Sequence, residues 1–162
     1  MLPLPWIQQT FEGEFAEREL LSDVSGAVHV EVVDFDRDGD LDVLIAAMGV
    51  ILPTDAKMGQ VIILENDGNE KFTKHLIATG IQRVTDVQAG DLDGDGDLDI
   101  YVVQGGSIHD PTQTTFTNQL FINDGNGYFT NASKGSGAED NGFGMGAATG
   151  DYDGDGDLDI YV

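Results

Sequence analysis

The chain has no cysteine among its 162 residues. Disulfide scaffolds, thiolate zinc sites and cysteine nucleophiles are therefore excluded, and the redox compartment is left open. Bases are scarce: 7 Lys and Arg stand against 30 Asp and Glu, a net charge of -23. The seven (Arg18, Arg37, Lys57, Lys71, Lys74, Arg83 and Lys134) are scattered and form no cluster in sequence. Phosphate binding needs clustered cations, so nucleic acid is excluded as a partner, and an anionic membrane surface is disfavoured. No run of 18 apolar residues occurs, so no membrane insertion is expected. Proline is rare at 4 residues while glycine reaches 22, which suits tight turns between short strands better than a disordered linker. No Gly-x-Ser-x-Gly elbow and no phosphate-cradling glycine loop is present. The simplest partner for such a chain is a cation.

What is present is a repeat. Asp34-Phe-Asp-Arg-Asp-Gly-Asp-Leu-Asp42 returns as Asp91-Leu-Asp-Gly-Asp-Gly-Asp-Leu-Asp99 and as Asp151-Tyr-Asp-Gly-Asp-Gly-Asp-Leu-Asp159. The offsets are 91 − 34 = 57 and 151 − 91 = 60. A second marker keeps the first period: Asn66-Asp-Gly-Asn and Phe72 return as Asn123-Asp-Gly-Asn and Phe129. Phe15 precedes Asp34 by the same distance as Phe72 precedes Asp91, so Trp6 to Leu21 reads as the second half of an earlier repeat.

Val28 to Val33 alternates apolar and polar residues, the mark of a half-buried strand. Leu41–Met48, Leu98–Val103 and Leu158–Val162 are short apolar runs rich in β-branched residues, as in strands covered on both faces. Residues 60–65 and 118–122 read as third strands, and 72–77 and 128–132 as fourth strands. The Asn-Asp-Gly-Asn tetrads between them are hairpin turns. Each repeat is thus a four-stranded antiparallel meander, and such units stacked radially make a β-propeller. The fold class is all-β, a propeller fragment. Its parts are 1–27, the second half of an opening blade; 28–83 and 84–141, two blades; and 142–162, the start of a truncated one. The complete protein is expected to extend at both ends.

Five carboxylates in nine residues repel one another unless a cation intervenes. Calcium takes 6–8 oxygens in irregular geometry. The metal-ligand candidates are Asp34, Asp36, Asp38, Asp40 and Asp42; Asp91, Asp93, Asp95, Asp97 and Asp99; and Asp151, Asp153, Asp155, Asp157 and Asp159. Positions 1, 3, 5 and 9 would give carboxylates, position 7 its backbone carbonyl, and Gly at position 6 the sharp turn. Leu41, Leu98 and Leu158 are expected to point into the core. An EF-hand would need Glu at position 12 and flanking helices, but position 12 is Ile45, Val102 and Val162 among strands.

These loops resemble the FG-GAP/VCBS repeat family, the integrin-α-type propeller. Gly142 to Val162 is similar in particular to ASPIC/UnbV-associated and cartilage-acidic-protein-like bacterial members. The family's Phe-Gly and Gly-Ala-Pro signature is recognisable near Phe143 without its Pro, and the segments at Gly26 and Arg83 depart from it. The resemblance implies seven blades, calcium in the loops joining strands 1 and 2, and a secreted, surface or periplasmic protein. No leader is visible at Met1 to Ile7, so one is expected upstream.

In a meander the calcium loops and the Asn-Asp-Gly-Asn turns share one face. The loops Gly49–Gly59 and Gln104–Thr117 share the other, and loops carry function more often than strands. The expected function is a calcium-stabilised binding or adhesion module, not an enzyme, with a protein or carbohydrate ligand on the face opposite the metal. The alternative is a carbohydrate-active or other extracellular enzyme on a propeller scaffold. It would need paired carboxylates outside the loops, and Glu65, Glu70, Glu139 and Asp140 give no such signal in sequence. His29, His75 and His109 fall in different elements and form no cluster in sequence. His109-Asp110 lies in a long loop that could touch a ligand.

Overall fold

A computed structural model describes residues 4–50, 54–110, 112–113 and 115–162. Residues 51–53, within the first long loop, and Pro111 and Thr114, within the second, lie outside the described residues, as do Met1 to Pro3. Twelve strands and no helix are found among the described residues.

The first hairpin pairs β1 (Leu4–Gln9) with β2 (Phe15–Leu21). The first full sheet runs β3 (Ala27–Val33), β4 (Asp42–Ala47), β5 (Gly59–Asn66) and β6 (Phe72–Ile81). The second runs β7 (Val84–Gly90), β8 (Asp99–Gln104), β9 (Gln119–Asn123) and β10 (Phe129–Asn131). A last pair, β11 (Ala148–Gly150) and β12 (Asp159–Tyr161), closes the order. Each strand pairs antiparallel with its neighbour in sequence, so both full sheets are simple meanders. These are propeller blades, and the all-β reading of the sequence holds.

Alternation places the core. Leu44 and Ala46 of β4 face the second blade and join Val61, Val84, Val87, Ile100 and Val102 in one cluster. Val43, Ile45 and Ala47 point the other way, packing with Ile62 and Leu64 and with Leu20 and Leu21 of β2. The first blade is therefore sandwiched between two apolar layers, and every residue of β4 and β8 is buried. That is why these strands read as continuous apolar runs rather than alternating ones.

Inner strands are stitched directly. Glu31 of β3 accepts a hydrogen bond from Ala89 N–H of β7 (2.8 Å), and Asp86 of β7 accepts one from Ala147 N–H (2.7 Å). His29 Nδ1 contacts the buried Asp86 carboxylate from the other side. Burial raises the Glu31 carboxyl above its usual range, opposed by the Ala89 hydrogen bond and the nearby His29.

Two expectations need correction. Leu41 is 58% exposed and Leu158 37% exposed, so neither lies in the core; only Leu98 packs against it. Leu98 meets the first blade, whereas no described residues cover Leu41 in the same way. Leu158 instead leans towards Gly90 and Leu92 at the edge of the second blade. The strand after the third loop, β12, is mostly exposed rather than covered on both faces.

Candidate metal centres

Each acidic loop joins the first and second strands of a pair: β3 to β4, β7 to β8, and β11 to β12. In each, carboxylate oxygens from positions 1, 3 and 9 come within 4.8 Å of one another: Asp34, Asp36 and Asp42; Asp91, Asp93 and Asp99; Asp151, Asp153 and Asp159.

The ninth carboxylate opens each second strand and is held from two sides. Asp42 Oδ2 accepts from Phe35 N–H and its Oδ1 from Asn66 N–H, both at 2.8 Å. Asp99 repeats this with Leu92 and Asn123 N–H, both at 2.9 Å. Asp159 accepts from Tyr152 N–H at 2.8 Å. The first carboxylate turns back into the loop: Asp34 accepts from Gly39 N–H, Asp91 from Gly94 N–H, and Asp151 from Gly154 N–H. Burial is the main cause that pushes the Asp42 and Asp99 carboxyls above the usual range, and neighbouring carboxylates push the same way. Asp36 is raised for the same leading reason. Asp34 Oδ1 is buried with no hydrogen-bond partner.

Positions 5 and 7 do other work with their side chains. Asp38, Asp95 and Asp155 lie outside the converging groups and accept from the N–H of Asp40, Asp97 and Asp157. They cap the turn at Gly39, Gly96 and Gly156, whose φ values of 96°, 96° and 101° favour glycine. Position 4 also takes positive φ: Gly94 and Gly154 at 80°, but Arg37 at 61° in the first loop. The Arg37 side chain reaches the second loop and pairs with Asp97 at 3.1 Å. The carboxylates of Asp40 and Asp97 lie so close to Gly68 and Gly125 that a Cβ there would clash. The acidic loops and the hairpin turns therefore share one end of the blades, as the meander predicts. Sequence reasoning missed these links between loop and turn. The Asn-Asp-Gly-Asn tetrad at the same period was the available signal.

The FG-GAP-like repeat family matches residues 50–102 and 107–162. The chain belongs to that family. No curated protein matches it. Each FG-GAP-like match starts in a long loop, passes through the outer two strands of one blade and ends in the inner pair of the next. An FG-GAP-like unit is thus offset by half a blade, with its acidic loop near its C-terminal end. On that phase β1–β4 form a further outer-pair, inner-pair unit with the first acidic loop.

The donor set tests which metal fits. All the converging atoms are carboxylate oxygens, which suit a hard cation and not a soft one. A cation would give the partnerless Asp34 Oδ1 a partner and offset the desolvation of Asp42 and Asp99. Positions 1, 3 and 9 fit such an ion as first ligands. The bound ion would supply charge neutralisation that cross-links loop, strand and turn.

Proposed function

We propose that this FG-GAP-like chain binds calcium in its three loops and serves as a secreted, cell-surface or periplasmic binding or adhesion module, not an enzyme. The observation that supports the reading most is the recurrence of one oxygen-only triad in three loops, each at the same place between strands. Calcium is favoured over magnesium because these short loops offer clustered carboxylates without the near-ideal octahedron magnesium demands. Extracellular modules bind calcium at around 10⁻⁴–10⁻³ M, which suits a compartment rich in that ion. Among the described residues no helix is long and apolar enough to cross a membrane.

The ligand, protein or carbohydrate, is assigned to the face opposite the metal. Asp55 there accepts from Gln82 Nε2 (2.9 Å), Ser107 Oγ (2.8 Å) and Ile108 N–H (3.1 Å), which ties the long loops of two blades together. Hydrogen bonding by Ser107 is the leading cause that lowers the Asp55 carboxyl below its usual range. Arg83 stacks over the Phe143 ring at 4.8 Å on the same edge. Such a tied platform is the kind of rigid support that presents loops to a partner. The test is thermal melting in calcium and in chelator. Saturation at a hundredfold over Kd should add about 2.7 kcal/mol per independent site. Coincident melting curves would defeat the calcium reading.

A further inference from the structure

Position 4 of the acidic loop breaks the repeat. The second and third loops place Gly94 and Gly154 there at φ 80°, and the first places Arg37 at φ 61°. Left-handed backbone is uncommon for a residue that carries a Cβ, and its retention points to a task for the side chain. That side chain leaves its own loop. Its guanidinium pairs with Asp97 of the second loop at 3.1 Å and lies beside Gly96.

Asp97 is fixed from three directions. Arg37 pairs with its carboxylate, the turn at Gly125 backs that carboxylate so closely that a Cβ there would clash, and its N–H donates to Asp95 Oδ1 at 2.9 Å. The Asp97 carboxylate lies outside the converging triad, so the pair does not compete for the metal. The main-chain carbonyl of the same residue is the expected ligand of position 7. At the other end of the link, Arg37 sits between Asp36, a member of the first triad, and Asp38, whose N–H donates to Asp36 at 3.1 Å. Closing the first triad and setting the backbone at residue 37 are thus one event. The link is confined to these two loops. Asp40 and Asp157, seventh in the first and third loops, carry no ion pair among the described residues, and Gly94 offers no side chain to reach the third loop.

We propose that Arg37 couples cation uptake in the first two loops, so that filling either one tightens the other, while the third loop titrates alone. The coupling rests on the loops taking calcium. A dication in the first loop holds residue 37 in the conformation that aims the guanidinium at Asp97. The pair then holds position 7 of the second loop in place, so the second ion orders less of the chain than the first. Reciprocity requires the same factor in both directions. Bare repulsion between two dications acts in the opposite sense, so the sign of the coupling separates the two effects. The paired side chains are 55% and 25% exposed, and an ion pair that open supports a factor of about two to five.

The experiment titrates the full chain with calcium alone and follows the amide shifts of Gly39, Gly96 and Gly156, one in each loop. Asp36→Ala disables the first loop and should weaken uptake at Gly96 about two- to fivefold. Asp93→Ala disables the second and should weaken uptake at Gly39 by the same factor. Asp153→Ala, in the third loop, should leave both unchanged. Arg37→Gly installs the residue the other loops carry and should abolish the coupling. It also removes a positive charge beside the second loop and so moves absolute affinities, which is why the ratio with and without a competent first loop is the readout. Arg37→Lys keeps the charge without the planar fork and should keep part of the factor. Independent titration of Gly39 and Gly96, coupling that survives Arg37→Gly, or equal coupling between the second and third loops would overturn the proposal and leave the calcium reading standing. No calcium response at any of the three glycines would overturn the calcium reading, and the coupling with it.

Discussion

Aspartates of one loop are chemically identical, yet they are not interchangeable. Asp99 is fully buried and accepts two backbone hydrogen bonds, one from its own loop and one from the β9 strand end. Replacing it by Asn turns one acceptor oxygen into a donor that faces a backbone N–H. A buried donor left unmade costs about 1–3 kcal/mol. Asp99→Asn should therefore destabilise the chain by about that amount even in chelator, before any metal is counted. Asp95 accepts a single bond, from Asp97 N–H, at an exposed turn, and Asn can accept the same bond. Asp95→Asn should change the chelated protein by less than about 0.5 kcal/mol. Urea melts of both variants in chelator check this, and equal losses would show that the loop is not so divided. The motif made all five positions legible as candidate ligands. It did not show which carboxylates converge and which cap the turn, because spacing gives order along a loop and not direction. Nor could it show Arg37 in a left-handed conformation where the other two loops place glycine.

Strands pose the opposite problem, since identical sequence takes different environments. Leu-Asp-Ile-Tyr-Val occurs at 98–102 and again at 158–162. Tyr101 is 1% exposed and Tyr161 is 67% exposed. Ile100 is fully buried between two blades, whereas Ile160 is only partly covered on a two-stranded sheet. Removing a buried isoleucine side chain costs about 2–5 kcal/mol, and the loss falls as the site becomes more open. Ile100→Ala should thus cost about 2–5 kcal/mol and Ile160→Ala under about 1 kcal/mol, measured by denaturant unfolding. Equal costs would mean that β12 is covered in solution. The strand positions, their order and the hairpin turns were all legible from alternation, apolar runs and the Asn-Asp-Gly-Asn tetrads. Burial was not, because it depends on which sheet lies opposite. Leu41 and Leu158 were misread for the same reason: a leucine beside an acidic loop reaches the core only where a neighbouring blade meets it. The stitches from Glu31 to Ala89 and from Asp86 to Ala147 were equally hidden, since they join residues more than 50 positions apart.

At the scale of the molecule the governing quantity is charge. A chain at -23 that gathers carboxylates into three loops works against its own compactness. Two remedies differ in kind. Simple salt screens charges separated by more than about 10 Å at 0.1 M and leaves close, buried groups such as Asp42 and Asp99 largely untouched. A coordinated dication acts at those groups, where burial makes the cost greatest. In chelator, raising sodium chloride should therefore recover only part of the melting temperature. Millimolar calcium at constant ionic strength should raise it further, and magnesium should raise it less, because magnesium holds its waters and asks for a stricter geometry. Thermal melts across the three salts at matched ionic strength separate the two remedies. If sodium chloride alone reproduced the calcium gain, the loops would be acting as a diffuse acidic surface, and the convergence of positions 1, 3 and 9 would have no role in holding the blades together.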